Sequence, residues 1–425
     1  MHLPRNPPRI EEMISDNQLN REILSDDIAK YAKDFNEKYL HWSEVRLRGT
    51  GTFNPDVVWA RMKLVRSDIS RTLVFGETKY CYLISDAISS MLHEFNERLS
   101  RGLFLNNVDR QKRTYYSVSS IMEESIASSQ MEGAVTTTKK AKEMLRKNIH
   151  PRDRSERMIL NNYRAMMFIK EHTEEPLSQQ LITDIHRIVT DGTLEERYMG
   201  IFRDNDDVVV QDATTGEVYH QPIPWVQIKS AVNDLCDFIN NGGRDLHPVI
   251  KGIILHYTIA FIHPFEDGNG RVARTLFYWY MIRSGYWAME YLALSRYIKE
   301  HKGKYEESYI FGETDGNDMT YFFLYNLKAL SDSLDMFIDY LKRKTEEERS
   351  IGFNLSDLGL NARQIEIVSG LVDDGTTSVR SIKNQYGVSM NTARSDIRTL
   401  LELGLLSETG REVNMKIYSW SGKKI

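Results

Sequence analysis

His263-Pro264-Phe265-Glu266-Asp267-Gly268-Asn269-Gly270-Arg271-Val272-Ala273-Arg274 is the stretch on which the reading of this chain turns. An apolar run, Val249 to Ile262, leads into it, and a second, Val272 to Ile282, leads out; both read as helices. Gly268-Asn269-Gly270 is flexible backbone at a helix start, where successive N–H groups and the helix dipole can converge on one anion. Arg271 and Arg274 are three apart, so they share a helix face and can reach the same phosphates. Asp267 is a hard oxygen ligand suited to Mg²⁺ that bridges phosphates. His263 ends the first helix; with a pKa near neutrality it can take a proton from an attacking hydroxyl. Phe265 is expected to point inward and anchor the loop. Taken singly, each feature is more often structural, because short motifs match by chance. In fixed order, between two apolar helices, they describe a phosphate-handling site.

The string resembles the signature of Fic-domain proteins, His-Xaa-Phe-Xaa-Asp/Glu-Gly-Asn-Gly-Arg-Xaa-Xaa-Arg, and every defined position matches. The resemblance implies a mainly α fold: a Fic-type helical bundle with a β-hairpin flap. It implies transfer of AMP from ATP to a protein hydroxyl. His263 is then the base and Asp267 holds Mg²⁺. Gly268, Asn269 and Gly270 bind the α- and β-phosphates and Arg274 the γ-phosphate, with Arg271, Val272 and Ala273 also contacting nucleotide. The intact Gly270 favours AMP as the transferred group.

Ser128-Ser129-Gln130-Met131-Glu132-Gly133 resembles the family's inhibitory motif, Ser/Thr-Xaa-Xaa-Xaa-Glu-Gly/Asn. Ser128 and Glu132 are four apart, on one face of a helix. By the resemblance, Glu132 pairs with Arg274, withholds it from the γ-phosphate, and can also support removal of AMP by positioning a water. Residues 200–224 resemble the family's flap: Val208–Val210 as a strand, Ala213–Gly216 as a turn, Val218–His220 returning, and Pro222 and Pro224 closing it. A target would add its backbone to that hairpin. Tyr305 matches a tyrosine that lies near adenine and ribose in related proteins. The neighbouring Glu306 departs from their tyrosine pair, and core packing explains Tyr305 equally well. Asp318 and Thr320 are cap candidates for a following helix.

The chain has 425 residues, 41% hydrophobic and 27% charged, enough for two or three globular domains. A net charge of −5 gives no global case for nucleic acid. Two distant cysteines, Cys81 and Cys236, argue for a reducing compartment and against a disulfide scaffold or zinc site. The N-terminus shows no signal-peptide pattern and the chain no long apolar run, so the expected location is the cytoplasm, with no membrane partner.

The expected division has four parts. Residues 1–115 form an N-terminal helical region, its first twenty or so residues wandering over the surface and Trp42 and Trp59 serving as core anchors. Residues 116–335 form the Fic domain with its inhibitory helix, and 336–355 a helical spacer. Residues 356–425 resemble a winged helix-turn-helix, with Asn391, Thr392, Arg394, Ser395 and Arg398 on the recognition helix. Expected partners are a target protein bearing a hydroxyl, the chain itself as substrate, DNA through the tail, and a second copy of the chain. Two functions remain open at this point: an adenylyltransferase autoinhibited by Glu132, and a DNA-binding regulator whose Fic core senses nucleotide.

Overall fold

The computed structural model describes residues 6–15, 17–48, 53–100, 110–211, 215–355, 358–412 and 415–422. Helices dominate because apolar positions recur at helical spacing and polar caps mark the helix starts. The N-terminal part holds α1 (Ile10–Ser15), α2 (Asn17–Ile23), α3 (Asp26–Glu37), α4 (Trp42–Leu47) and α5 (Pro55–Ile69). Ser25 caps α3, and Asn54 with Pro55 starts α5. Ile10, Met13 and Leu19 pack on a small core that contains Trp42 and Trp59. The expectation of a wandering N-terminus therefore fails from Ile10 onward; residues 1–5 lie outside the described residues. The expected all-helical character also fails between α5 and α6 (Asp86–Ser100). There β1 (Arg71–Phe75) and β2 (Thr78–Tyr82) form an antiparallel hairpin, with Gly76 at φ +60° in its turn.

The central bundle follows. Its elements are α7 (Arg110–Met131), α8 (Thr138–Lys147), α9 (Arg154–Glu171) and α10 (Gln179–Thr190), then β3 (Val210–Gln211) and β4 (Val218–His220). After these come α11 (Ile228–Asn240), α12 (Pro248–Ile262), α13 (Asn269–Arg283), α14 (Leu294–Glu300), α15 (Lys302–Thr314) and α16 (Thr320–Leu355). Helices α12 and α13 are buried almost all round, which is why their sequences read as continuous apolar runs. They form the centre of one large core with α7, α9, α10, α11 and α16. Asp318 caps α16 by accepting the Thr320 N–H at 3.0 Å. The expected spacer 336–355 is the second half of this single 36-residue helix.

The tail folds as α17 (Ala362–Asp374), α18 (Val379–Tyr386) and α19 (Met390–Glu402), followed by a hairpin of β5 (Leu406–Glu412) and β6 (Met415–Trp420). Arg363 and Asp396, both buried, join α17 to α19 through a bidentate ion pair, one bond of which is 2.9 Å. Tyr418 exchanges backbone hydrogen bonds with Thr377, which ties the wing to the start of α18. Among the described residues, no helix is long and apolar enough to cross a membrane.

Candidate active site

A cavity of about 580 Å³ opens between the end of α7, the β3–β4 hairpin and helices α12, α13 and α15. The motif residues His263, Gly270 and Arg274 line it, as do Glu132 and the rings of Tyr257, Tyr305 and Tyr309.

The motif loop is held from several directions. His263 caps α12 in the left-handed region (φ +51°), which turns the chain out of the helix. The carbonyl of Ala260 can only accept, so His263 Nδ1, 3.1 Å away, carries the proton and Nε2 keeps its lone pair. Burial is the largest influence on this imidazole and pushes its pKa down to about 4. That is well below the neutral value expected from sequence, so the ring is an unprotonated acceptor at neutral pH. Phe265 is fully buried, as expected, and stacks on His186 with ring centroids 3.7 Å apart. The Asn269 side chain accepts from the Phe265 N–H at 2.9 Å and donates to the Phe265 carbonyl at 2.7 Å. Gly268 takes φ +86° before the helix starts at Asn269, and no side chain caps that start. The first amides of α13 are thus left for a ligand.

The two arginines diverge. Arg271 is fully buried; it donates to the Val189 carbonyl at 2.6 Å and lies 3.5 Å from Asp267. Val272 and Ala273 are also fully buried, away from the cavity. Arg274 alone reaches the cavity. It donates to the Ser128 hydroxyl (2.9 Å), the Ser128 carbonyl (3.1 Å) and Glu132 Oε1 (2.7 Å). Glu132 follows the last residue of α7, and Gly133 takes φ +91° to turn the chain away. Burial raises the Glu132 pKa, but the Arg274 charge and hydrogen bond outweigh it and hold the carboxyl below its ordinary range. Gly270 makes this contact sterically feasible: a Cβ there would stand 2.2 Å from Glu132 Oε1.

Asp267 stands at the loop's outer edge, its side chain 39% exposed, and faces Arg154 at 3.2 Å. Among the described residues no cluster of three or more His, Cys, Asp or Glu could hold a metal. A single accessible carboxylate suits Mg²⁺, which commonly takes one protein ligand and completes its shell with phosphates and water. Tyr305, from α15, puts its hydroxyl 3.0 Å from His256 Nε2 and 3.3 Å from the Tyr309 hydroxyl. The tyrosine in contact with Tyr305 is thus Tyr309, one helical turn on, where the sequence reading looked only at position 306.

Three further residues escaped the sequence reading. The Gly200 N–H donates to His186 Nδ1 at 2.9 Å, so Nε2 carries the proton and donates to the Asp267 carbonyl at 2.9 Å. Burial lowers the His186 pKa to about 4, which keeps it in that neutral form. Arg203, nearly fully buried, donates to the His263 carbonyl at 3.0 Å and to the Ile223 carbonyl. His220, on β4, bridges the Phe261 carbonyl and Glu313. The hairpin is shorter than expected: Val208 and Val209 precede the strand. Of the expected turn, Ala213 and Thr214 lie outside the described residues. The sequence signal for all three was weak, since each acts through a partner 14 or more positions away.

Residues 176–281 match the Fic/DOC family, and residues 363–409 match the DeoR-like helix-turn-helix domain. The chain carries a Fic domain. Over 130 residues it is 28% identical to the protein adenylyltransferase fic-1 of Caenorhabditis elegans, covering 28% of this chain and 26% of that one. Over 106 residues it is 32% identical to the protein adenylyltransferase Fic of Nematostella vectensis, covering 25% and 23%. The chain thus matches about a quarter of the length of these curated relatives. A crystal structure of a Fic family protein from Desulfovibrio desulfuricans G20 shares the fold, with a TM-score of 0.53 at 20% identity over 81% of this chain and 98% of that one. The Fic domain and the helix-turn-helix tail agree with the fold class expected from sequence.

Proposed function

We propose that this chain is a protein adenylyltransferase held idle by Glu132. The observation that carries the reading is the 2.7 Å contact of Arg274 with Glu132 beside the unprotonated His263. ATP enters with its phosphates over the uncapped start of α13. The hydroxyl oxygen of a protein Ser, Thr or Tyr attacks the α-phosphorus, its proton passes to His263 Nε2, and the bond to the bridging oxygen breaks to release pyrophosphate. Amides of Gly268–Gly270 and the Arg274 guanidinium stabilise the charge on the phosphates. Mg²⁺, held by Asp267, would neutralise part of that charge. With Glu132 in place, Arg274 is occupied and the γ-phosphate has no clamp. A water held by Glu132 would support the reverse, hydrolytic removal of AMP.

The test uses the full chain with labelled ATP and Mg²⁺, scored by intact mass. Label is expected on Glu132→Gly, weakly or not at all on the wild type, and not on His263→Ala. No label on any variant would sink the reading.

A second reading rests on α19, whose Asn391, Arg394, Ser395 and Arg398 are exposed on one side. These residue types suit phosphates and base edges. In that reading the tail binds duplex DNA and the Fic domain acts where DNA places it. A gel shift of the full chain at several salt concentrations tests it; binding without a fall in affinity at high salt would count against a backbone-dominated contact.

A further inference from the structure

Among the described residues the β3–β4 hairpin has two pairs in register, Val210↔His220 and Gln211↔Val218, with an irregularity between them. A two-stranded ribbon this short does not hold itself in water. Its placement has to come from side chains. Arg203 secures the base, through the carbonyls of His263 and Ile223. His220 secures the far strand. Its Nε2 lies 2.7 Å from the Phe261 carbonyl in the last turn of α12, two residues before His263. Its Nδ1 lies 2.9 Å from Glu313 Oε1 near the end of α15.

A backbone carbonyl only accepts, and so does an ionised carboxylate. Both contacts form together only when both ring nitrogens carry protons. A neutral ring keeps one bond and turns a lone pair on the other oxygen. Glu313 is the only carboxylate in hydrogen-bond contact with the ring among the described residues.

We propose that His220 is a positioning residue: bridging Glu313 and the Phe261 carbonyl, it latches the hairpin to the helix that carries His263. The latch fixes the strand edge on which an extended, hydroxyl-bearing polypeptide lies, and so the distance from that hydroxyl to the base. This role rests on the adenylyltransferase reading; the latch itself can be read without it.

The test places His220→Phe, Glu313→Ala and the double variant in the full-length Glu132→Gly chain. It follows three quantities: hydrogen exchange of the 215–220 amides, corrected for the intrinsic pH dependence of exchange; self-labelling from ATP; and ATP affinity. Each single variant is expected to lower flap protection and labelling about tenfold, with ATP affinity within about twofold. The double variant is expected to lose no more than His220→Phe alone, because Glu313 acts through His220. Unchanged flap exchange in both single variants, or losses that add in the double, overturns the latch. A parent that transfers no label fails the adenylyltransferase reading instead, while flap exchange still decides the latch.

Discussion

The two sides of the cavity are held in opposite ways. In the motif loop, partners from other elements fix the backbone: Arg203 on His263 and Pro264, His186 on Asp267, and the Asn269 side chain on both polar groups of Phe265. The turn around Glu132 has local backbone bonds and is tied by Ser155 on the Val135 amide and Gln130 on the Thr136 carbonyl, but the Glu132 side chain itself is held by one ion pair. The Glu132 side chain is 32% exposed, against 4% for Arg274. One side is overdetermined, as a catalytic geometry has to be. On the other, the Glu132 carboxylate is held by Arg274 alone, as a removable block has to be.

The largest effect should come from the fixed side. His263→Ala is expected to lower transfer by about 10²–10⁴-fold, the usual worth of a general base. ATP affinity should stay close to that of the parent, because the phosphates rest on α13. Transfer surviving in this variant would break the assignment of the base. Phe265→Ala tests the frame itself. Removing a fully buried ring that stacks on His186 should cost about 3–5 kcal/mol, read as a fall in the urea midpoint. Glu132→Gly should behave in the opposite way. Arg274 keeps both bonds to Ser128, so the stability cost should stay near 1–2 kcal/mol while labelling rises about tenfold or more. A stability loss as large as that of Phe265→Ala would erase the contrast between the two sides.

This contrast explains what the sequence could reveal. The motif was legible because its chemistry is local: twelve consecutive residues carry the base, the uncapped helix start and the arginine. The two flanking helices were legible because burial all round leaves a continuous apolar run. The tail was legible through its turn residues and short amphipathic helices. The direction of Arg271 was not, since i,i+3 spacing names a shared face and not what that face meets. Here the partners are Val189 and Asp267. His186 and Arg203 were invisible for a related reason. A lone histidine on an apolar helix, and an arginine in a loop, gain a role only from backbone groups about 60–80 positions away. The β1–β2 hairpin was missed because Arg71 to Tyr82 pairs around a two-residue turn between helices that dominate the local pattern.

The remaining predictions concern pH, and the displacement of the activity limb is the smallest effect. His263, His186 and His256 have pKa values lowered by burial to about 4, about 4 and about 3, against an ordinary 6.5. The unfolded chain therefore takes up these protons first as pH falls. Their contribution to stability is whole above about pH 6.5 and is lost progressively between 6.5 and the range 4 to 3. The urea midpoint should fall over that window and not above it. Activity should follow His263 alone: the acid limb of kcat/KM for ATP-dependent labelling should lie near pH 4, not near 6.5. The Glu132 carboxylate favours the protonated imidazolium, while burial and the His220 and Arg203 charges oppose it. Glu132→Gly should therefore move the acid limb to still lower pH. A limb that moves upward, or stays near 6.5 in both proteins, would mean that another group limits the rate and that the two sides of the cavity are not electrostatically linked.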